Sequence, residues 1–283
     1  MTFIKDKRLL VSNFHAILCC HNNGVFNMVK DTKIKKQSSF KNFTELLNAI
    51  DQNEKTKVFF LLKEGIDVNL TNENGRTPLM AAIGTNDLNM VKVIVEAGAD
   101  LEMRARDKET ALLYACRVAK NKEIVEYLID KGADVKARNE YNDDALFIAA
   151  EYNKYWQITE FLLDTGHYNI NDQGDVQNYT PLMAAARHND FNTIALLIDR
   201  GASLHLKDKS GWTPIFHAAA NTNDDPTNML LMLRKYPELL FECAEKKHIR
   251  SIAEEYDNIK IACSIDGIFA VFVLGSKNSE SLN

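Results

Sequence analysis

The chain has 283 residues, 46% of them hydrophobic and 26% charged, a composition ordinary for a globular protein able to bury a substantial core in one or two domains. Its net charge of −5 argues against the broad basic surface that a nucleic-acid phosphate backbone needs. No apolar stretch approaches the ~20 residues of a membrane-spanning helix. The five cysteines show neither paired spacing nor a Cys/His zinc pattern, which points to a reducing compartment.

In chain order, residues 1–42 come first as a basic arm, with eight Lys or Arg against two Asp. Leu9, Leu10, Val11, Phe14, Ile17 and Leu18 permit an amphipathic helix that caps whatever follows, with membrane attachment as the sharper alternative. The run from Leu9 to Cys20 imitates a signal peptide, but Asn13 and His15 interrupt it and no small-residue cleavage site is evident.

A repeat then begins. Thr77-Pro78-Leu79-Met80-Ala81-Ala82 is echoed by Thr180-Pro181-Leu182-Met183-Ala184-Ala185 and by Thr213-Pro214-Ile215-Phe216-His217-Ala218. Degenerate copies start at Thr44, Thr110 and Asp144, so six starts are separated by 33, 33, 34, 36 and 33 residues. Thr or Asp can cap a helix, and Pro in its first turn loses no hydrogen bond. A second apolar run follows in five units and ends at Gly65, Gly98, Gly132, Gly166 or Gly201, each suited to a left-handed helix terminus. The implied unit is helix, turn, helix and extended tip. Trp156 aligns with Leu88 and Phe191 on the second helix and is expected in the core. Extra residues from His167 to Gln177 predict a protruding tip between the fourth and fifth units.

These residues resemble the ankyrin repeat, whose signature is T-P-L-H-x-A at about 33 residues. The resemblance covers about 43–235 and implies an all-α solenoid of about six helix-turn-helix units with short extended tips and helical terminal caps. The His position of the signature holds Met80, Leu113, Phe147, Met183 and Phe216, so apolar packing must replace any hydrogen bond made there.

Past the repeats, Pro226 predicts a helix through Arg234, and Tyr236 to Tyr256 reads as one or two more. The segment 236–275 forms a helical extension or cap, and 276–283 a disordered tail. Asp266-Gly267 between apolar runs signals a hairpin, whereas a short helix from Asp266 suits a helical stack better. Phe269, Val271, Phe272 and Leu274 must be buried in a cap or against a partner.

The resemblance further implies binding on the concave face formed by tips and first helices. Arg, Tyr and Trp dominate binding hot spots, which favours Arg104, Arg106, Arg138, Tyr141 and Trp212 as contacts, joined on the tips by Lys207 and Lys209. Arg117, Tyr152, Arg187 and His188 of the first helices continue that face. The expected partner is a protein or peptide, acidic if the arginines select it, and the bland alternative for each residue is a charge that merely solvates the surface. Nucleic acid is not expected as a partner, and membrane contact is confined to the termini.

Catalysis has little support: Cys243 and His248, like Cys20 and His21, are near in sequence without an orienting third group. No Gly-rich phosphate loop or His-Glu-x-x-His pattern occurs, and no cofactor or metal is expected. The function expected is a cytoplasmic protein-protein adaptor. The alternative is a secreted microbial effector, delivered into a host cell, whose repeats bring an active or membrane-binding terminal segment to a host protein.

Overall fold

Each helix of a pair starts or stops where a side chain or a permissive backbone tells it to. In the computed structural model, which describes residues 42–268 apart from 175, 189–190, 221–224, 242, 245–246, 257 and 259, the Thr77 hydroxyl accepts the Met80 amide at 3.1 Å. Thr110, Asp144 and Thr180 do the same for Leu113, Phe147 and Met183. The Thr180 amide donates in return to Met183 Sδ at 3.4 Å. A thioether at the signature's His position thus takes the part that Glu or Gln plays in a capping box.

The six units are α1 (42–51) with α2 (Lys55–Lys63), α3 (Pro78–Gly84) with α4 (Leu88–Glu96), α5 (Ala111–Val118) with α6 (Lys122–Asp130), α7 (Ala145–Tyr152) with α8 (Trp156–Asp164), α9 (Pro181–His188) with α10 (Phe191–Asp199), and α11 (Pro214–Ala219) with α12 (Thr227–Lys235). The five glycines expected after the second helices all have positive φ. First helices α3, α5, α7, α9 and α11 pack serially on one another, and more closely than the second helices do. Their buried faces carry Ala81, Ala82, Ala115, Ala149, Ala185 and Ala218, which lets backbones approach, so the stack is concave on the first-helix side. The chain therefore folds as the all-α solenoid that its repeat implies.

Each tip turns through one left-handed residue: Gly75, Lys108, Asn142, Asn178 or Gly211. Gly75 is the most constrained, because a Cβ there would lie 2.9 Å from Arg106 N and 3.0 Å from Ala105 Cα of the next tip, at a φ of +73°. Gly75→Ala is expected to destabilise the chain by about 1–3 kcal/mol through combined strain and collision. Urea unfolding checks this; a midpoint equal to that of the unaltered chain would remove the close approach as a constraint.

Past the sixth unit the chain combines helices with one short strand pair. After a 3-10 turn, Pro237–Phe241, the pair Cys243–Ala244 joins Lys247–His248 in an antiparallel two-residue hairpin, and α13 (Ile249–Glu255) and α14 (260–268) follow. Hairpin, helix, helix is the order of a repeat, and α13 packs on α11 as α11 packs on α9. Ile249, Ile252, Ala253, Ile261 and Ile265 join the core of the last two units. A seventh, degenerate unit thus covers the sixth, meeting a solenoid's need for a terminal cap. The hairpin at Asp266-Gly267 is not formed: both residues lie inside α14, and Asp266 accepts from Arg250 Nε at 2.7 Å.

Two other expectations need correction or restriction. Trp156 opens α8 half-buried and outside the core, at the rim, as does Phe191 at the start of α10, which is 43% exposed. The arm through residue 41, the apolar residues Phe269 to Leu274 and the tail 276–283 lie outside the described residues. On the first unit, Phe59 and Phe60 of α2 are 58% and 61% exposed.

Candidate functional site

The tips form a row held together by side chains at corresponding positions. Arg104 Nη1 donates to Lys108 O of its own tip and to Arg138 O of the next, both at 2.9 Å. Arg138 Nη1 donates to Asn142 O of its own tip, and its Nη2 reaches Asp172 of the next at 2.5 Å. Gln173 Nε2 repeats the device, bonding Asn178 O at 2.8 Å and Lys207 O at 2.9 Å. The extra residues of the fourth unit are therefore tied on both sides, with Tyr168 and Ile170 packed against the two halves of the core.

Three of the tips also close around a side-chain acceptor. Asn72, Asn139 and Asp208 each accept two backbone amides through one oxygen, with distances between 2.8 and 3.0 Å. In the sixth unit Asp208 has a further partner, His217 Nε2 at 2.9 Å, and both side chains are buried. Burial opposes ionisation of Asp208, but the bonds from His217 and from the Trp212 and Ser210 amides outweigh it and hold the carboxyl below 3.8.

On the concave side, aromatic and cationic groups line successive first helices. Arg117 lies over the Tyr114 ring at 5.7 Å, and Arg187 over Tyr179 at 5.2 Å. Tyr152, 6.0 Å from His188, is half exposed, and its hydroxyl is pushed up to about 12 by burial and by Glu151 beside it. Further along, Tyr179 meets His217 edge-on at 4.9 Å, while Trp212 contacts His217 at 5.4 Å and Tyr256 of the seventh unit at 6.1 Å. Arg117 also pairs with buried Glu109, whose carboxyl is raised by burial despite the guanidinium.

The residues singled out from sequence thus fall into two groups. Arg104 and Arg138 brace neighbouring tips, and Trp212 packs between the sixth unit and the cap. Arg106, Tyr141, Tyr152, Arg187, His188, Lys207 and Lys209 are exposed. Tyr179 and Tyr256 were missed; Tyr179 directly precedes Thr180, a place that Arg76, Glu109, Asp143 and Trp212 hold in other units and from which a side chain faces inward. That alignment was available in the sequence. Tyr256 was not recoverable without knowing that α13 is a repeat helix.

Cys243 and His248 are register partners on the small hairpin. Among the described residues no group of three His, Cys, Asp or Glu is placed to hold a metal ion, and no helix is long and apolar enough to cross a membrane.

Comparison with known proteins adds independent findings. A family model described as ankyrin repeats (3 copies) matches residues 46–139 and again 146–239. Ankyrin repeat-containing protein P1E11.10 of Schizosaccharomyces pombe is 41% identical over 51 residues, which are 18% of this chain and 25% of that protein. The match thus spans about a quarter of the relative's length. One chain of a solved complex, the Bd0816 predatory endopeptidase from Bdellovibrio bacteriovorus with immunity protein Bd3460, is similar at 32% identity and a TM-score of 0.56, over 66% of this chain and 96% of that one.

Proposed function

Since this chain belongs to the ankyrin-repeat family, we propose that it works as an adaptor that binds a protein partner on its concave face and catalyses no reaction itself. The observation that carries this reading is the run of exposed aromatic and cationic side chains along the tips and first helices, from Arg106 and Tyr141 through Tyr152, Arg187 and His188 to Lys207 and Lys209. Their backbone is fixed by inter-tip bonds before any partner arrives, so little ordering opposes association. The Arg and Lys residues among these favour an acidic partner. Free thiols at Cys116 and Cys263 suit a cytoplasmic setting.

A second reading has one observation in its favour: the similar chain was solved in a complex of an endopeptidase with an immunity protein. On this reading the partner is itself an enzyme, and binding restrains it.

The test is affinity capture from lysate of the producing cell with the intact chain beside a Tyr141→Ala, Arg187→Glu, Lys207→Glu variant. The tip braces and Trp212 stay intact in this variant, so circular dichroism should be unchanged. A partner retained by the intact chain should be depleted at least ~10-fold on the variant, the effect of losing about 1.4 kcal/mol. Equal retention would move the binding site away from the concave face. Peptidase activity of the captured protein, inhibited by added chain, separates the second reading from the first.

A further inference from the structure

Between the second and third units the concave face opens into a cavity of about 250 Å³, bounded by Arg76, Met80, Arg106, Glu109, Tyr114 and Arg117. We propose that this cavity is an anchor site for a single acidic side chain of the protein partner, a glutamate above all. The proposal rests on the concave-face reading and makes it specific.

The three arginines are differently engaged. Arg117 is committed to Glu109. Arg76 spends both terminal nitrogens on Asp51 of α1, at 3.0 and 2.8 Å, and its Nε is buried with no acceptor among the described residues. Arg106 is exposed and has no hydrogen bond or ion pair among the described residues. Two guanidinium groups with donors not bonded within the chain therefore border one cavity, and the buried Arg76 Nε is destabilising until an acceptor is supplied. A carboxylate is the acceptor whose geometry matches a guanidinium edge.

Size and charge narrow the occupant. At about 250 Å³ the cavity is smaller than the ~300–1,000 Å³ of small-molecule sites, and suits one side chain. Met80 at its base and the Tyr114 ring provide apolar surface for a methylene stem. Asp107 and Glu109 also line the cavity and Asp51 pairs with Arg76, so the charges around it are close to balanced, which disfavours a phosphate dianion more than a single carboxylate.

The experiment titrates the full-length, isotope-labelled chain by NMR with acetyl-Gly-Glu-Gly-amide, its Gln counterpart and inorganic phosphate. Saturable shifts at residues 74–76 and 105–107 are expected with the Glu peptide, at least ~10-fold weaker with the Gln peptide and with phosphate. Arg106→Gln should weaken the Glu-peptide response by ~10-fold with the rest of the spectrum unmoved; Arg106 makes no internal bond, so the fold survives its loss. Equal responses to Glu and Gln, phosphate binding as tight as the peptide, or an unaffected Arg106→Gln would each overturn the proposal. If a captured partner is lost by the Tyr141, Arg187 and Lys207 variant but fully retained by Arg106→Gln, the anchor site falls while the concave-face reading stands.

Discussion

Replacing Asp208 by Ala is expected to lower the unfolding free energy by about 3 kcal/mol, because it takes the acceptor from several donors in and beside the core, at about 1–3 kcal/mol for each one left buried and unsatisfied. The side chain is buried, and its two oxygens hold the Ser210 and Trp212 amides at 2.8 Å and His217 Nε2 at 2.9 Å. Alanine would strand the imidazole among Tyr179, Trp212 and the core of the sixth unit, and release the turn of the tip. Asp208→Asn keeps an acceptor for the two amides and should lose distinctly less. The pH dependence follows from the depressed carboxyl. A group whose folded pKa lies below its unfolded value stabilises fully above the unfolded one, here 3.8, and loses that contribution as the pH falls through the folded value. Urea midpoints measured from pH 7 down to pH 2.5 should therefore show a fall below about pH 4 that is smaller in Asp208→Asn. Identical acid profiles for the two chains would mean that the carboxylate is not linked to folding.

How far the sequence reaches differs between scaffold and site. The six units were legible because units two to five carry a bonded Thr or Asp cap, the first five end on Gly at a left-handed terminus, and Ala recurs on the close-packed faces, all set by local geometry. The seventh was hidden because His248-Ile249-Arg250 stands where Thr-Pro-Leu stands elsewhere, and its identity rests on tertiary features: the packing of α13 on α11 and the bond from Asn258 to Ala219 O at 2.7 Å. Residue type alone also misleads about roles on the tips. Arg104, Arg106 and Arg138 look equivalent in sequence, yet the first and third are turned along the row to bind backbone carbonyls. Arg106, two residues from Arg104, borders the cavity. Tip conformation makes that distinction, and the conformation depends on bonds to the neighbouring unit.

Asn153→Ala is expected to destabilise the chain by about 3 kcal/mol and to divide its unfolding into two steps. The carboxamide is buried after the end of α7; its Nδ2 donates to Cys116 O at 2.8 Å and Ala119 O at 2.9 Å of α5, and its Oδ1 accepts the Tyr155 amide at 2.9 Å. Those two carbonyls belong to the last turn of α5 and to the residue that ends it, where no helical amide is left to bond them, so alanine would leave buried acceptors unsatisfied at about 1–3 kcal/mol each. A solenoid's stability is a sum of unit and nearest-neighbour terms, and this substitution acts on one neighbour term, between the third and fourth units. Weakening it should let the units on one side open before those on the other. A broadened or biphasic urea transition, with hydrogen exchange in α5 and α7 accelerated more than in α9 and α11, is the expected outcome. A single sharp transition at the original midpoint would show that the interface is held by apolar packing of Leu112, Leu146 and Ile148 alone. The same carboxamide device recurs at Asn258, so the last unit is locked on by the chemistry that joins the third to the fourth.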